Sequence, residues 1–99
     1  EIHWKAVGTE FVGCMILEFL SGGAVIASAH SGSLLAAALG LGLSLSVVTW
    51  VTLGLSGAHL NPAITLAVAV TGKRGKDFGP LEILMYFFAQ FGGAMLGAV

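Results

Sequence analysis

The segment SGAHLNPAITLA, residues 56–67, lies in the middle of a mostly apolar chain and decides how that chain folds. Asn61 is a residue type favoured at the N-cap of a helix, and Pro62 suits the first helical position. An apolar run follows from Ala63 to Val70, and Gly72 is a natural helix stop. The pattern predicts a helix of about ten residues, roughly 15 Å long at about 1.5 Å per residue.

The composition of the whole chain favours a membrane environment. Of its 99 residues 57% are hydrophobic and 9% are charged, whereas a soluble domain carries about a quarter charged residues. Apolar stretches run over about residues 5–28, 33–54 and 81–99, close to the ~20 residues that cross a ~30 Å hydrocarbon core. Small residues recur at four-residue spacing in two of them, which lets helices approach closely: Ala36, Gly40, Ser44, Ala89, Gly93 and Gly97. We therefore predict an all-α, multi-pass integral membrane protein with three spans.

The basic residues predict the orientation of these spans, because Lys and Arg collect in short cytoplasmic loops. Lys5 precedes the first span, residues 29–33 contain no Lys or Arg, and the third span is preceded by Lys73, Arg74 and Lys76. The N-terminus is therefore predicted to be cytoplasmic. Three aromatic rings then fall near cytoplasmic span ends, where we expect them at the interface or, alternatively, in ordinary packing: Trp4, Trp50 and Tyr86.

Residues 55–71 are mostly apolar, yet both of their ends are predicted to be cytoplasmic. Two full crossings need more residues than this, so the segment is predicted to dip into the membrane and return as a loop and a half-helix. Lipid cannot satisfy irregular backbone, so such a dip must be buried in protein or line a watery cavity. The half-helix would point its positive N-terminal end at the bilayer centre, which opposes cations and protons.

The residues of the dip offer complementary hydrogen-bonding groups. The side-chain amide of Asn61 can donate to the oxygen of a water or a hydroxyl. Gly57 and Ala58 permit an extended backbone whose carbonyls face the lumen and accept the solute's protons. This pattern indicates a path for neutral solutes.

The same segment resembles the first Asn-Pro-Ala signature of the aquaporin and aquaglyceroporin family, in its form Gly-Ala-His-x-Asn-Pro-Ala-x-Thr. The stretch Trp4-Lys5-Ala6-Val7 with Glu10-Phe11 resembles the first helix of that family, and Ala89-Gln90 with Gly93-Ala94 resembles its third. The resemblance covers the whole chain. It implies that residues 1–99 form one of two inverted repeats, an aquaporin-like half with three transmembrane helices and one re-entrant half-helix.

The resemblance implies a transmembrane channel for passive transport of water, small neutral solutes such as glycerol, or both, excluding ions and protons. Conduction would need a second repeat that this chain does not contain, in a lipid bilayer, and the family's assembly implies a homotetramer of complete channels. The alternative is a non-conducting half-channel that serves as a structural subunit of a membrane complex.

The resemblance also assigns roles to individual residues. Pore or selectivity positions are Asn61, Pro62, Ala63, His59, Gly57, Ala58, Leu41, Leu45 and Leu17. For His59 the alternative is a purely structural loop histidine. Structural support of the dipping loop is implied for Glu10, with direct contact to the solute as the alternative. For Gln90 we expect a structural clamp, again with a solute contact as the alternative. Water-selective members usually have Phe where this chain has Leu41, so the aliphatic wall is compatible with glycerol as well as water.

Glu18 departs from the family pattern, because a carboxyl group lies about 20 Å along the first helix, near the bilayer centre. We expect it to be protonated or internally hydrogen-bonded, or alternatively to face the lumen. His59 has no companions at metal-ligand spacing, and we see no nucleophile–base pair. The basic cluster near residue 74 lacks interleaved aromatics. We therefore predict no enzyme, no metal, no cofactor and no nucleic-acid partner.

Overall fold

The computed structural model describes residues 3–72 and 79–99, and this part of the chain contains four α-helices and no strand. Three are long and apolar enough to cross a membrane, and the fourth is short. They are α1 (Trp4–Ser31), α2 (Leu34–Ser56), α3 (Pro62–Thr71) and α4 (Pro80–Ala98). The predicted all-α fold of three long helices and one short helix is confirmed. The basic residues predicted to orient the bundle, Lys73, Arg74 and Lys76, lie outside the described residues.

The ends of α2 and α3 follow from their capping residues. Ser33 begins α2, where its hydroxyl accepts a hydrogen bond from the Ala36 N–H at 3.0 Å. Asn61 begins α3 in the same way, because its Oδ1 accepts from the Ala63 N–H at 2.8 Å. The helix then ends at Gly72, whose left-handed backbone donates its N–H to the Val68 carbonyl. Each side-chain cap satisfies a backbone donor that a helix start leaves unpaired.

Glycine allows α1 and α4 to pack with their backbones in contact. Helix α1 packs against both α2 and α4, and α3 packs against α4. A Cβ atom at Gly93 would overlap the Phe11 carbonyl oxygen, and one at Gly97 would overlap the Met15 carbonyl oxygen. The predicted close approach at these glycines is confirmed for the α1–α4 pair.

The distribution of polarity is the reverse of that in a soluble protein. The largest fully buried side chains are Tyr86, Glu10, Glu82 and Thr65, three of them polar or charged. Large apolar side chains lie on the outside, with Trp50 at 84% and Val70 at 78% exposure. An apolar exterior around a polar interior is stable in lipid, where interior polar groups must find partners within the protein. The expectation that Tyr86 lies in the interface is wrong, because its ring is completely buried, and ordinary packing is the correct reading.

Candidate functional site

The loop between α2 and α3 has an unusual backbone. Gly57 has φ of 87°, which glycine adopts without strain, but Ala58 and Leu60 also have positive φ, at 54° and 55°. The extended backbone predicted for Gly57 and Ala58 is therefore wrong, because both residues have left-handed φ. For residues with a Cβ atom this left-handed conformation costs about 1–2 kcal/mol each. Such backbone persists only where the surrounding structure holds it in place.

Glu10 on α1 supplies most of the hydrogen-bond acceptors that hold this loop. Its Oε2 accepts from the Ser56 hydroxyl at 2.6 Å and from the His59 N–H at 3.2 Å. Its Oε1 accepts from the Leu60 N–H at 2.8 Å and from the Gln90 amide at 2.7 Å. All four partners are donors, so both carboxyl oxygens act as acceptors. Helices α1, α2 and α4 and the loop therefore meet at one buried side chain.

A second group of side chains packs around this network. The Gln90 amide also donates to Thr65 Oγ1 at 2.8 Å, and His59 Nδ1 lies 3.0 Å from the same oxygen. Tyr86 donates its hydroxyl to the Ser56 carbonyl at 2.9 Å, and its ring centre lies 5.1 Å from that of His59. The contributions of Thr65 and Tyr86 were missed in the sequence. Their signal was a polar group within an apolar segment, which in a membrane must find a partner.

The side chain of Leu60 anchors the loop on its apolar side. It is buried in a cluster with Cys14 of α1 and Val48 of α2. Gly13 makes room for it, since a Cβ atom at this glycine would lie 2.7 Å from Leu60 Cδ2. The strained residue is therefore held by a backbone hydrogen bond to Glu10 and by packing of its own side chain.

His59 is 4% exposed, and its described contacts are with Thr65 and Tyr86. Both readings of His59, a pore residue and a structural histidine of the loop, stay predictions.

The N-terminal tip of α3 is accessible. Asn61 is exposed, and because its Oδ1 caps the helix, its amide nitrogen remains available. A cleft of about 180 Å³ brings Asn61 and Pro62 together with Leu17 of α1, and Glu18 and Gln90 also line it. The tip thus presents a donor and the positive end of a helix at an open surface.

The other predicted pore residues are distributed along α2 and the loop. Leu41 borders a second, larger cleft of about 770 Å³. Leu45 is exposed at 48%. In the remaining part of the motif, Gly57 and Ala63 are exposed and Ala58 is half-buried. The structure therefore joins Leu17, Asn61 and Pro62 in one cleft and places Leu41 in another.

Three long apolar spans define an integral membrane protein. A strained loop is held between these spans by Glu10, and a short capped helix packs against α4. The chain belongs to the major intrinsic protein family, whose model matches residues 1–99.

Relatives include the neurogenic protein big brain of Drosophila melanogaster, 35% identical over 99 residues, which covers 96% of this chain and 14% of that protein. Aquaglyceroporin-2 of Trypanosoma brucei brucei is 35% identical over 98% of this chain and 30% of its own length. A glycerol uptake facilitator protein of Streptococcus pneumoniae is 38% identical over 91% of this chain and 39% of its own length. The chain spans less than half the length of these relatives.

Proposed function

We propose that this chain is the first repeat of a channel that conducts water and small neutral solutes such as glycerol passively, and excludes ions and protons. The observation that carries the proposal is the capped tip of α3, which is open to a cleft while its loop is bound to Glu10 inside the bundle. This arrangement presents polar groups where lipid alone would leave them unpaired.

The depth of the tip supports a re-entrant path. The loop is bound to Glu10, six residues after the start of α1 at Trp4, which corresponds to about 9 Å along the helix. Helix α3 has 10 residues, or roughly 15 Å. A tip about 10–15 Å inside the span is near the middle of a ~30 Å core. We infer that residues 55–71 enter the membrane and return to the same side.

The chemistry of the tip suits neutral solutes. The Asn61 amide donates to an oxygen of water or glycerol, and the carbonyls of Gly57 and Ala58 are the matching acceptors. The positive end of α3 opposes cations and protons, a mechanism already described for aquaporin-type pores. Pro62 and Ala63 form the first turn of α3, and Glu10 holds the loop by accepting from its N–H groups. The Gln90 amide in turn donates to Glu10 and to Thr65 of α3.

We assign the walls of the path to three leucines: Leu17, Leu41 and Leu45. They are apolar, as the sides of a solute channel usually are. At the position of Leu41 an aliphatic side chain leaves a wall without hydrogen bonds, which accommodates the carbon backbone of glycerol. The printed names of two relatives, an aquaglyceroporin and a glycerol uptake facilitator, support this solute class.

We further propose that the complete channel contains a second, inverted repeat, assembles as a homotetramer and has a cytoplasmic N-terminus. The channel would catalyse no reaction and need no cofactor. A half-channel that serves only as a structural subunit is the competing proposal. The two proposals differ in whether the assembled protein conducts water or neutral solutes.

The experiment is reconstitution of the complete protein into liposomes. Shrinkage in an impermeant osmolyte measures water flux, and re-swelling in a glycerol gradient measures glycerol flux. We expect both rates to exceed those of empty liposomes, with no added conductance for Na⁺ or protons. Rates equal to those of empty liposomes would favour the structural subunit, and water flux without glycerol flux would contradict the broad solute class.

A further inference from the structure

The hydroxyl group of Thr65 makes hydrogen bonds of an unusual kind for a helical threonine. Ser46 and Thr52 each donate to the backbone carbonyl four residues earlier, at 2.8 Å. Thr65 makes no such bond within the described chain, and its Oγ1 instead lies 2.8 Å from Gln90 Nε2 and 3.0 Å from His59 Nδ1. Thr65 is completely buried, so its hydroxyl proton needs an acceptor among these neighbours.

The Gln90 amide determines how the Thr65 hydroxyl group is oriented. Its nitrogen lies 2.7 Å from Glu10 Oε1, and the same carboxyl group accepts three further hydrogen bonds. The reverse orientation of the amide would set two acceptor oxygens against each other, so the nitrogen faces Glu10 although Gln90 Oε1 then has no partner among the described residues. An amide nitrogen donates two protons and accepts none. It therefore donates one proton to Glu10 and the other to Thr65 Oγ1.

The Thr65 hydroxyl group in turn determines which nitrogen of His59 carries the proton. Gln90 occupies one lone pair of Oγ1, and the hydroxyl proton remains for His59 Nδ1. A ring nitrogen that accepts a hydrogen bond carries no proton, so the proton of the imidazole lies on Nε2. The ring is therefore neutral, with Nδ1 as its acceptor and Nε2 as its donor.

We propose that Thr65 is a positioning residue that holds His59 as the neutral Nε2–H tautomer, and that the negative charge of Glu10 orients the hydrogen bonds that lead to it. A Cβ atom at Gly57 would lie 3.4 Å from His59 Nε2, so this nitrogen is on the Gly57 side of the loop. The tautomer places an N–H donor there, on the same loop as the carbonyl acceptors of the proposed path. The other tautomer would place a further acceptor at this point.

The test is ¹⁵N NMR of the complete channel in liposomes, with labelled histidine and at a pH above the usual histidine titration range. The ¹⁵N chemical shift distinguishes a protonated ring nitrogen from an unprotonated one, and His59→Asn identifies the signals of His59 by their loss. Thr65→Val keeps the shape of the side chain and removes its hydroxyl group. One hydrogen bond of about 1.4 kcal/mol corresponds to a tenfold change, so we expect this variant to raise the ratio of Nδ1–H to Nε2–H about tenfold.

Two further variants separate the hydroxyl group from the packing of the side chain. Thr65→Ser keeps the hydroxyl group but loses a methyl group, and we expect its tautomer ratio to stay within about threefold of the unmodified channel. A role in packing alone predicts the opposite, because valine preserves the shape better than serine. Thr71→Val is the matched control, since Thr71 lies on the same helix and its hydroxyl group bonds only the Val68 carbonyl. Its ratio should equal that of the unmodified channel.

The tautomer ratio decides the proposal whether or not the channel conducts. An unchanged ratio in Thr65→Val overturns it, as does an equal change in Thr71→Val, or an unmodified channel in which His59 Nδ1 carries a proton. If Thr65→Val does not fold, Thr65→Ala decides, because it also lacks the hydroxyl group. A channel that shows the expected tautomer but conducts neither water nor glycerol would refute the proposed function alone and leave the role of Thr65 in place.

Discussion

Replacing Glu10 with alanine is the most direct test of how the loop is held. The substitution removes the acceptor of four hydrogen bonds, from Ser56, His59, Leu60 and Gln90. In water a hydrogen bond to a charged group contributes about 1.5–3 kcal/mol, whereas side-chain hydrogen bonds within a membrane average about 0.6 kcal/mol. At an intermediate ~1 kcal/mol each, four bonds stabilise the loop by about 4 kcal/mol.

The stabilisation by the four hydrogen bonds of Glu10 is slightly larger than the strain energy of the loop backbone. The left-handed residues Ala58 and Leu60 together cost about 3 kcal/mol. Without Glu10 the strain is no longer offset, so the loop should relax. Glu10→Gln keeps one oxygen for the Leu60 N–H and the Gln90 amide, and loses the acceptor for the Ser56 hydroxyl and the His59 N–H. We expect glutamine to destabilise the protein by about 1–2 kcal/mol and alanine by about 4 kcal/mol.

The measurements are the thermal unfolding midpoint of the complete channel in detergent and its water permeability in proteoliposomes. Alanine should abolish water permeability and glutamine should reduce it. Glu82→Gln is the matched control, because Glu82 is also a buried carboxyl on a span but lies 3.0 Å from His3, away from the loop. This control should lower the unfolding midpoint without lowering the permeability of folded channels. Wild-type permeability in Glu10→Ala, or an equal loss in Glu82→Gln, would refute the reasoning.

Three further predictions concern the cap, the packing and the wall of the path. Asn61→Ala removes the α3 cap, which should lower the unfolding free energy by about 1 kcal/mol, and should lower water permeability. Asn61→Asp keeps the cap but loses the amide donor, so it should also conduct water poorly in proteoliposomes. Gly93→Ala places a Cβ against the Phe11 carbonyl oxygen and should lower the unfolding free energy by about 1–3 kcal/mol. Leu41→Phe narrows the wall and should raise the ratio of water to glycerol permeability about tenfold.

Each of these predictions has a result that contradicts it. Normal permeability in Asn61→Asp would show that the amide donor is not needed. Gly42→Ala is the control for the packing variant, since a Cβ there meets nothing within 4 Å; equal stabilities of the two alanine variants would exclude a close contact at Gly93. An unchanged permeability ratio in Leu41→Phe would remove Leu41 from the path.

Much of the fold could be predicted from the sequence because membrane spans depend on local properties. Apolar length determined the three long helices, and the Asn61, Pro62 and Gly72 signals located the short one. Helix α1 runs from Trp4 to Ser31 where a span over 5–28 was predicted, since hydropathy marks the core of a span and not its last turns. The close approach at Gly93 also followed from spacing alone.

The interior of the site was harder to predict, because its contacts join residues far apart in the chain. Nothing local distinguishes Tyr86, which bonds the Ser56 carbonyl, from an aromatic residue of the interface. The burial of His59 likewise depends on Thr65 and Tyr86, which reach it only after α3 and α4 have packed. The resemblance to the family located the loop in the sequence, but its hydrogen-bond partners could be identified only from the structure.

The hydrogen bonds of Glu10 also impose an order on membrane assembly. Glu10 enters the bilayer with α1, yet its loop partners follow 46 to 50 positions later and Gln90 follows 80 positions later. Until then this carboxyl group must remain close to water or to the translocation machinery, because an acidic side chain within a membrane span is costly unless it has polar partners. A chain interrupted before α4 lacks both Gln90 and Tyr86. The loop therefore reaches the hydrogen-bonded form described above only after α4 has been inserted.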